Sequence, residues 1–362
     1  MIGQALLRLF PTPHYLLQPT VGLDISDRSI KFIELREKGN RPYLSRFGEK
    51  EIPEGAIVGG SIQDLSSVSR VFREIKETFG FTYATVSLPE EKAYVINLSI
   101  KGVRLSDLRE SVELQIEDHV PFPASHVVFD YDVVRAQNGV IDVVVSVLPK
   151  QVVESYLNAL TASEIQPLVF EIEAQAATRA LIEKGSKETI LIVDFGRMRS
   201  GFTIVDQGVA RYSSTVAVGG DTIVRAIRDR FHIKEEVARK MKEERGLRRK
   251  IDEDLFFAIT PSAGVLRDEV EKYLLYWEHH RGEEKSKRPP VNKVIITGGD
   301  ANIPGFLDYL ASGFDIPFVL ANPWINFLSF DDAIPSISHN HVLRYTTAIG
   351  LALRRTALFS CV

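Results

Sequence analysis

The sequence predicts an α/β protein of two similar lobes, with a small α+β subdomain inserted in the first. Three observations carry that reading. A β-rich hairpin whose first strand ends in aspartate occurs twice, nearly half a chain apart. Helical patterns at 3.6-residue spacing follow each hairpin. A mixed segment over 97–160 occurs in the first half alone. The 362 residues are 44% hydrophobic and 25% charged, enough chain for two or three domains with cores of their own.

The first hairpin reads TVGLDISDRSIKFIEL over 20–35, and the second ILIVDFGRMRSGFTIV over 190–205. Each is an apolar run ending in Asp24 or Asp194, then a short polar turn, then a second β-rich run. Further strands are expected at Pro42–Phe47 and Val209–Val216. Leu65 to Phe79 spaces Leu65, Val68, Val71, Phe72, Ile75 and Phe79 along one helix face. In the second half, Asp221 stands where an N-cap would precede Ile223, Val224, Ile227 and Phe231. Helices are expected at Glu235–Arg245, from after Pro261 through Trp277, and at His341–Leu358. Between them lie a solvated loop, Gly282–Pro290, and a buried strand, Val291–Thr297, running into Gly298-Gly299-Asp300. The 97–160 segment reads strand (Ala93–Ile100), helix (Leu105–His119), Pro-Phe-Pro turn, two strands (Val127–Val134, Val140–Leu148) and helix (Val152–Leu160), a layout that closes on itself. Together these elements imply two lobes facing each other across a cleft.

Composition excludes several functions. A net charge of −4, from 44 basic and 48 acidic residues, lacks the basic excess of a nucleic-acid binder. The single cysteine, Cys361, forms no internal disulfide, which reads as cytoplasmic. No run reaches the roughly 20 apolar residues of a membrane span. Met1–Leu17 carries several leucines, but Pro11 and Pro13 interrupt it and it lacks a signal peptide's cationic start, so it reads as a tail or a packed helix, ahead of a weak peripheral membrane anchor. His279-His280 and His339-Asn340-His341 have no Cys or Glu partners at zinc spacing. No Gly-x-Ser-x-Gly elbow is present.

Paired aspartates at strand ends suit a metal-bound polyphosphate. Carboxylates hold Mg²⁺, commonly through its water shell, and the N–H groups of tight turns contact anions. An aspartate at one hairpin turn is ordinarily a turn former; the repetition of the construction points beyond that. Ser26 retains a hydroxyl donor in the first turn, and Lys31 either reaches phosphate or points to solvent. Gly219-Gly220-Asp221 either caps a helix or lets the backbone approach a nucleotide. Gly298-Gly299, trailed by Asn302, Pro304 and Gly305, reads as a turn or an adenosine loop.

The order of these motifs resembles the actin-like ATPase superfamily. Within it, LQIEDHVPFPASHVVFDYDVV, VLPKQVVESYLNAL and VIITGGDANIPGFLDYLASGFDIPFVLANP resemble the FtsA/PilM family, on the side of PilM of type IV pilus assembly, over residues 18–355. The resemblance implies an actin-like fold with a central nucleotide cleft: a tail over 1–17, a first lobe over 18–96, an SHS2-like partner-binding subdomain over 97–160, a connecting helix over 161–188, a second lobe over 189–340 and a C-terminal helix over 341–362 returning to the first lobe. It implies ATP and Mg as cofactors, with Asp24 and Asp194 near the metal. Ser26, Ser29 and Lys31 would line the first phosphate loop, and Gly196 and Ser200 the second. Gly219, Gly220, Gly298, Gly299 and Asn302 would border the nucleotide, and Lys242 would contact the adenosine. Glu173 would stand near the attacking water, or else be a helix-surface carboxylate.

The implied partner is the N-terminal cytoplasmic peptide of a PilN-like membrane protein, beside other pilus assembly proteins, with self-association left open and localisation peripheral to the inner membrane. Ser26 in place of glycine, Asp27-Arg28 in place of small residues, and the bulky Arg197-Met198-Arg199 depart from the family pattern. They imply a reshaped turn, since a non-Gly residue in a left-handed turn costs about 1–2 kcal/mol. At most slow hydrolysis is expected. The competing readings are an FtsA-like membrane tether, a nucleotide-free scaffold and a small-molecule kinase. The chain ends directly after an apparently packed helix, which counts against the tether.

Overall fold

The computed structural model describes residues 20–38, 41–280, 288–328 and 334–360. Met1–Leu17, Cys361 and most of the Gly282–Pro290 loop lie outside them. The described residues fall into two compact units, one drawn from Met1–Leu181, Trp324–Ser336 and Thr347–Val362, the other from Ile182–Pro323 and Ile337–Thr346.

The first unit opens with an antiparallel meander of β1 (Thr20–Ile25), β2 (Ser29–Lys38) and β3 (Arg41–Glu51). Val21, Leu23 and Ile25 on one face and Gly22 and Asp24 on the other are all buried, so β1 is a central strand covered on both faces. A two-residue hairpin, β4 (Ile57–Val58) and β5 (Ser61–Ile62), precedes helix α1 (Leu65–Phe79). That helix matches its expected span because both ends are signalled. Asp64 accepts from the Ser66 and Ser67 amides, and Gly80 closes the helix in a left-handed conformation (φ 66°). β6 (Tyr83–Leu88) then runs parallel to β1.

Next come β7 (Tyr94–Lys101), α2 (Leu108–Ile116), β8 (Val127–Gln137) and β9 (Val140–Pro149). The strands form a separate antiparallel sheet in the order β7-β9-β8, on which α2 buries Leu108, Val112 and Ile116 against Ile96, Leu98, Val143 and Val145. The helix expected over Leu105–His119 is shorter: Leu105–Asp107 is a 3₁₀ turn, and the α-helix stops ahead of Pro121. Then follow α3 (Lys150–Thr161), β10 (Gln166–Ile172) and α4 (Glu173–Leu181). The span 161–188, expected as a connecting helix, thus contains a strand, and β10 lies parallel to β6. β-branched and aromatic residues in PLVFEI favour the strand.

The second unit repeats the plan. β11 (Thr189–Phe195), β12 (Ser200–Asp206) and β13 (Val209–Val216) form a meander. Helices α5 (Gly220–Phe231), α6 (Glu235–Glu244) and α7 (Glu253–His280) follow, then β14 (Lys293–Thr297), α8 (Phe306–Ala311) and β15 (Phe318–Leu320). The sheet orders are β10-β6-β1-β2-β3 and β15-β14-β11-β12-β13: each is a meander extended by two parallel strands beside its first strand. α9 (His339–Val342) belongs to the second unit, and nearly all of α10 (Thr346–Ser360) to the first. Among the described residues no helix is long and apolar enough to cross a membrane.

Two expectations need correcting. α7 runs through Pro261 instead of starting after it. An interior proline costs about 3 kcal/mol. Leu255 and Ile259, ahead of it, are fully buried and together offset that at roughly 1.5–3 kcal/mol each. The cap of α5 is Gly219, which places Asp221 in the first turn.

The β2–β3 pair also carries a buried carboxylate. Burial alone raises the Glu34 pKa, but Arg46, donating from Nε at 2.6 Å, and Arg36 at 3.2 Å outweigh it and hold the carboxyl below its ordinary range. Its stabilisation is fully present above the unfolded value near 4.3 and is lost as pH falls through the depressed folded value. Both arginines remain substantially solvated, so Glu34→Gln is expected to lose about 1 kcal/mol at pH 7. Urea unfolding at pH 7 and pH 3 checks this: the gap to wild type should shrink at the lower pH.

Candidate functional site

In the first unit the site begins at the end of β1. Asp24 is buried and sits opposite Lys31 across the β1–β2 pair, with the Lys31 Nζ 3.8 Å from its Oδ2. Ser87 of the neighbouring strand β6 is fully buried. Its hydroxyl accepts from the Ile25 amide at 2.9 Å and donates to Asp24 Oδ1 at 3.3 Å. The carboxylate is therefore oriented by one hydroxyl and faced by one ammonium, an arrangement that a free turn-forming aspartate does not need.

The turn after Asp24 is closed by the Ser26 amide donating to Ser29 O at 2.9 Å, while the Ser26 hydroxyl donates to the same carbonyl and accepts from the Ser29 amide. Neither Ser26 nor Asp27 takes a positive φ, so the left-handed strain expected of a serine here is absent. Asp27 accepts from the amides of Gly59 and Gly60 at 2.9 and 3.0 Å. Gly60 in turn offers its carbonyl to the buried Tyr156 hydroxyl of α3. Arg28 pairs with Glu54 at 3.1 Å. The departures at 27 and 28 thus anchor the turn to the β4–β5 hairpin. Glu173, half-buried, opens α4, whose next amide, Ala174 N–H, donates to the buried Glu90 at 2.9 Å.

In the second unit Asp194 is the penultimate residue of β11, and the Gly196 amide closes the following turn on Arg199 O. Gly298 (φ +100°) lies against this strand end: a Cβ there would stand 2.5 Å from Asp194 Oδ1 and 2.4 Å from Phe195 O. Only glycine permits that approach. The Gly220 and Asp221 amides at the start of α5 donate to the carbonyls of Gly196 and Arg197. A Cβ on Gly219 would collide with Arg197 O at 2.5 Å. Arg197 Nε donates to the Asp221 carboxylate at 3.1–3.2 Å, and Arg239 bridges Asp221 and Glu235. Lys242, buried on α6, is paired with Asp300.

Placed in this way, the expected residues divide. Asp24, Lys31, Ser26 and Ser29 come together at one strand end, as do Asp194, Gly196, Gly219, Gly220 and Gly298 at another. Ser200 turns inward, fully buried, and donates to Val218 O at 2.6 Å. Asn302 donates to Asn340 O at 2.7 Å, and a Cβ on Gly299 would meet Arg344 Cβ at an ordinary 3.6 Å. Ser87, Asp27, Asp221 and Asp300 were not singled out as site residues. A lone serine near the end of the buried run ATVSL was the available signal for Ser87. Among the described residues no three His, Cys, Asp or Glu side chains form a metal cage. Asp24, oriented by the Ser87 hydroxyl and facing the Lys31 ammonium, would fit an outer-sphere contact to a hydrated divalent ion.

A sheet plan built twice, each copy carrying aspartate one residue before the end of its first strand and a tight turn after it, is that of the actin-like ATPase fold. The family model described as type IV pilus assembly protein PilM matches residues 22–356. The chain belongs to that family. A solved structure described as the PilM-PilN type IV pilus biogenesis complex superimposes with a TM-score of 0.77 at 19% identity, over 93% of this chain and 98% of that one. The ethanolamine utilization protein EutJ from Carboxydothermus hydrogenoformans gives 0.55 at 14% identity, over 95% and 91%. MreB5 of Spiroplasma citri, bound to AMPPNP, gives 0.54 at 12% identity, over 94% and 97%.

Proposed function

We propose that this chain is an ATP-binding, actin-like scaffold of type IV pilus assembly, cytoplasmic and held at the inner membrane by a partner. The observation that carries the nucleotide reading is the strand-end aspartate built twice, with Asp24 oriented by Ser87 and Lys31 and Asp194 nested against Gly298. Asp24 and Asp194 would hold hydrated Mg²⁺, which neutralises phosphate charge when bound. Ser26, Ser29 and Lys31 serve the first phosphate loop and Gly196 the second; Gly298, Gly299 and Asn302 stand at the nucleoside end. Glu173 would orient water. With Asp27-Arg28 and Arg197-Met198-Arg199 in place of small residues in the phosphate loops, turnover is at most slow. MreB5 bound to AMPPNP supports a nucleotide on this fold.

The partner is a PilN-like membrane protein, whose short cytoplasmic peptide docks in a groove beside the β7-β9-β8 subdomain. The PilM-PilN complex supports this, as do the free edge of β8 and the exposed Val128 and Val133 on it. A nucleotide acts on such a scaffold only through unequal affinity for its conformations.

One observation favours a nucleotide-free scaffold. The first amides of α5 are already bonded to the loop carbonyls, and Arg197 and Arg239 already pair with Asp221. Thermal unfolding with and without MgATP separates the two readings. At a hundredfold excess over Kd a ligand of the folded state adds about 2.7 kcal/mol. A magnesium-dependent rise in Tm that Asp194→Ala abolishes is expected. No rise at millimolar MgATP would leave the nucleotide-free scaffold.

A further inference from the structure

Lys242 is one of the largest fully buried side chains of the protein, with 2% of its side chain exposed. A lone ammonium is too strongly hydrated to be buried without a counter-charge. Its Nζ donates to Asp300 Oδ1, across from α6 to the segment just after β14. Asp300 is fixed on two further sides. Its amide donates to Phe195 O at 3.1 Å, at the end of the strand that carries Asp194. Its carboxylate fills the space where a Cβ on Gly220 would lie, 1.9 Å from that position. The glycine at 220 is therefore required by Asp300, and close approach of a ligand is not needed to explain it. One residue, through its carboxylate and its amide, thus joins α6, the start of α5, the end of β11 and the Gly298-Gly299 turn.

We infer that Lys242 is a positioning residue, and that its ion pair with Asp300 sets the Gly298-Gly299 turn for the nucleoside. This deepens the nucleotide reading above and rests on it. With the ammonium paired to Asp300, its influence on binding passes through the turn that Asp300 holds. The loss of either partner must then have the same consequence. That consequence is confined to the nucleoside end, because the turn after Asp194 is closed by the Gly196 amide on Arg199 O, a bond that involves neither Lys242 nor Asp300.

The test compares MgATP with magnesium tripolyphosphate, which has phosphates and no nucleoside, as calorimetric ligands of the full-length protein. The variants are Lys242→Met, which keeps the apolar stem, Asp300→Asn, which keeps the shape, and the double variant. Unfolding midpoints without ligand establish that each is folded. MgATP affinity is expected to fall about tenfold in each single variant and no further in the double, while tripolyphosphate affinity stays within about twofold of wild type. A tenfold loss in Lys242→Met with Asp300→Asn unchanged would make Lys242 a direct contact and overturn the inference alone. Equal losses for both ligands would reduce the pair to a general structural role and also overturn it. Wild-type protein that binds neither ligand would overturn the nucleotide reading itself, and this inference with it.

Discussion

Replacing Gly350 by alanine is expected to destabilise the first unit by about 2 kcal/mol, and replacing it by leucine by about 3 kcal/mol or more. α10 touches α4 at this glycine so closely that a Cβ would stand 1.8 Å from Ala176 O and 2.4 Å from its carbonyl carbon. Both neighbours are backbone of a buried helix and cannot swing aside. Helix propensity alone would reward Gly→Ala by about 1 kcal/mol. Overpacking of a rigid site costs about 1–3 kcal/mol, and more for a longer side chain, so the clash decides the sign. Gly264 supplies the control. It also lies within a helix, α7, but a Cβ there would meet only the Tyr309 hydroxyl at an ordinary 3.5 Å. Gly264→Ala should therefore raise stability by up to about 1 kcal/mol. Urea unfolding followed by tryptophan fluorescence checks both, since Trp324 reports on the first unit and Trp277 on the second. A stabilised Gly350→Ala would show that α10 is loosely packed. The consequence reaches the candidate site, because α10 also presses on Gly22, where a Cβ would lie 2.1 Å from Ala348 O. Gly22 is two residues from Asp24 on the same face of β1.

Much of this architecture was legible because its signals are local. The β1–β2 and β11–β12 hairpins announce themselves by alternating β-branched residues around a polar turn. The span of α1 follows from a capping aspartate and a closing glycine. β10 was missed although PLVFEI carries β-forming residues, because its parallel partner, β6, is distant in sequence and no hairpin turn marks the run as a strand. Pro261 misled for a related reason: the local penalty is real, but apolar positions before and after it continue one buried stripe. The candidate site was legible in its carboxylates and less so in their surroundings. Ser87 is 63 positions from Asp24 and meets it only because β6 pairs with β1. Asp27 and Arg28 read as intrusions into a phosphate loop until Gly59, Gly60 and Glu54 are brought beside them. Lys242 was expected as an adenosine contact, and its pairing with Asp300 depends on two elements that no spacing rule connects. Ser200 shows the opposite error, a hydroxyl in the right sequence position that the strand's alternation turns into the core.

Glu171→Leu is expected to destabilise the first unit by about 3 kcal/mol. The Glu171 carboxylate, 1% exposed, accepts from Arg179 Nη1 at 2.7 Å and from Arg354 Nη1 at 2.6 Å, and so joins β10, α4 and α10. Arg179 also donates to Gly350 O at 3.0 Å, at the tight glycine contact itself. Removing one member of a buried ionic set costs about 3–5 kcal/mol, because the charges left behind are unpaired in a poor solvent. The two arginine side chains keep 23% and 25% of their exposure, which places the loss at the lower end of that range. The same reasoning predicts that the set as a whole contributes far less than its parts. Desolvating three charged groups nearly cancels their attraction, so Glu171→Leu combined with Arg179→Met and Arg354→Met should recover most of the lost stability. Urea midpoints of the single and triple variants, read in a Trp277→Phe background so that only Trp324 reports, decide the matter. A triple variant less stable than the single would mean that the arginines stabilise these elements through packing and backbone contacts, such as the one to Gly350 O, more than through their shared carboxylate.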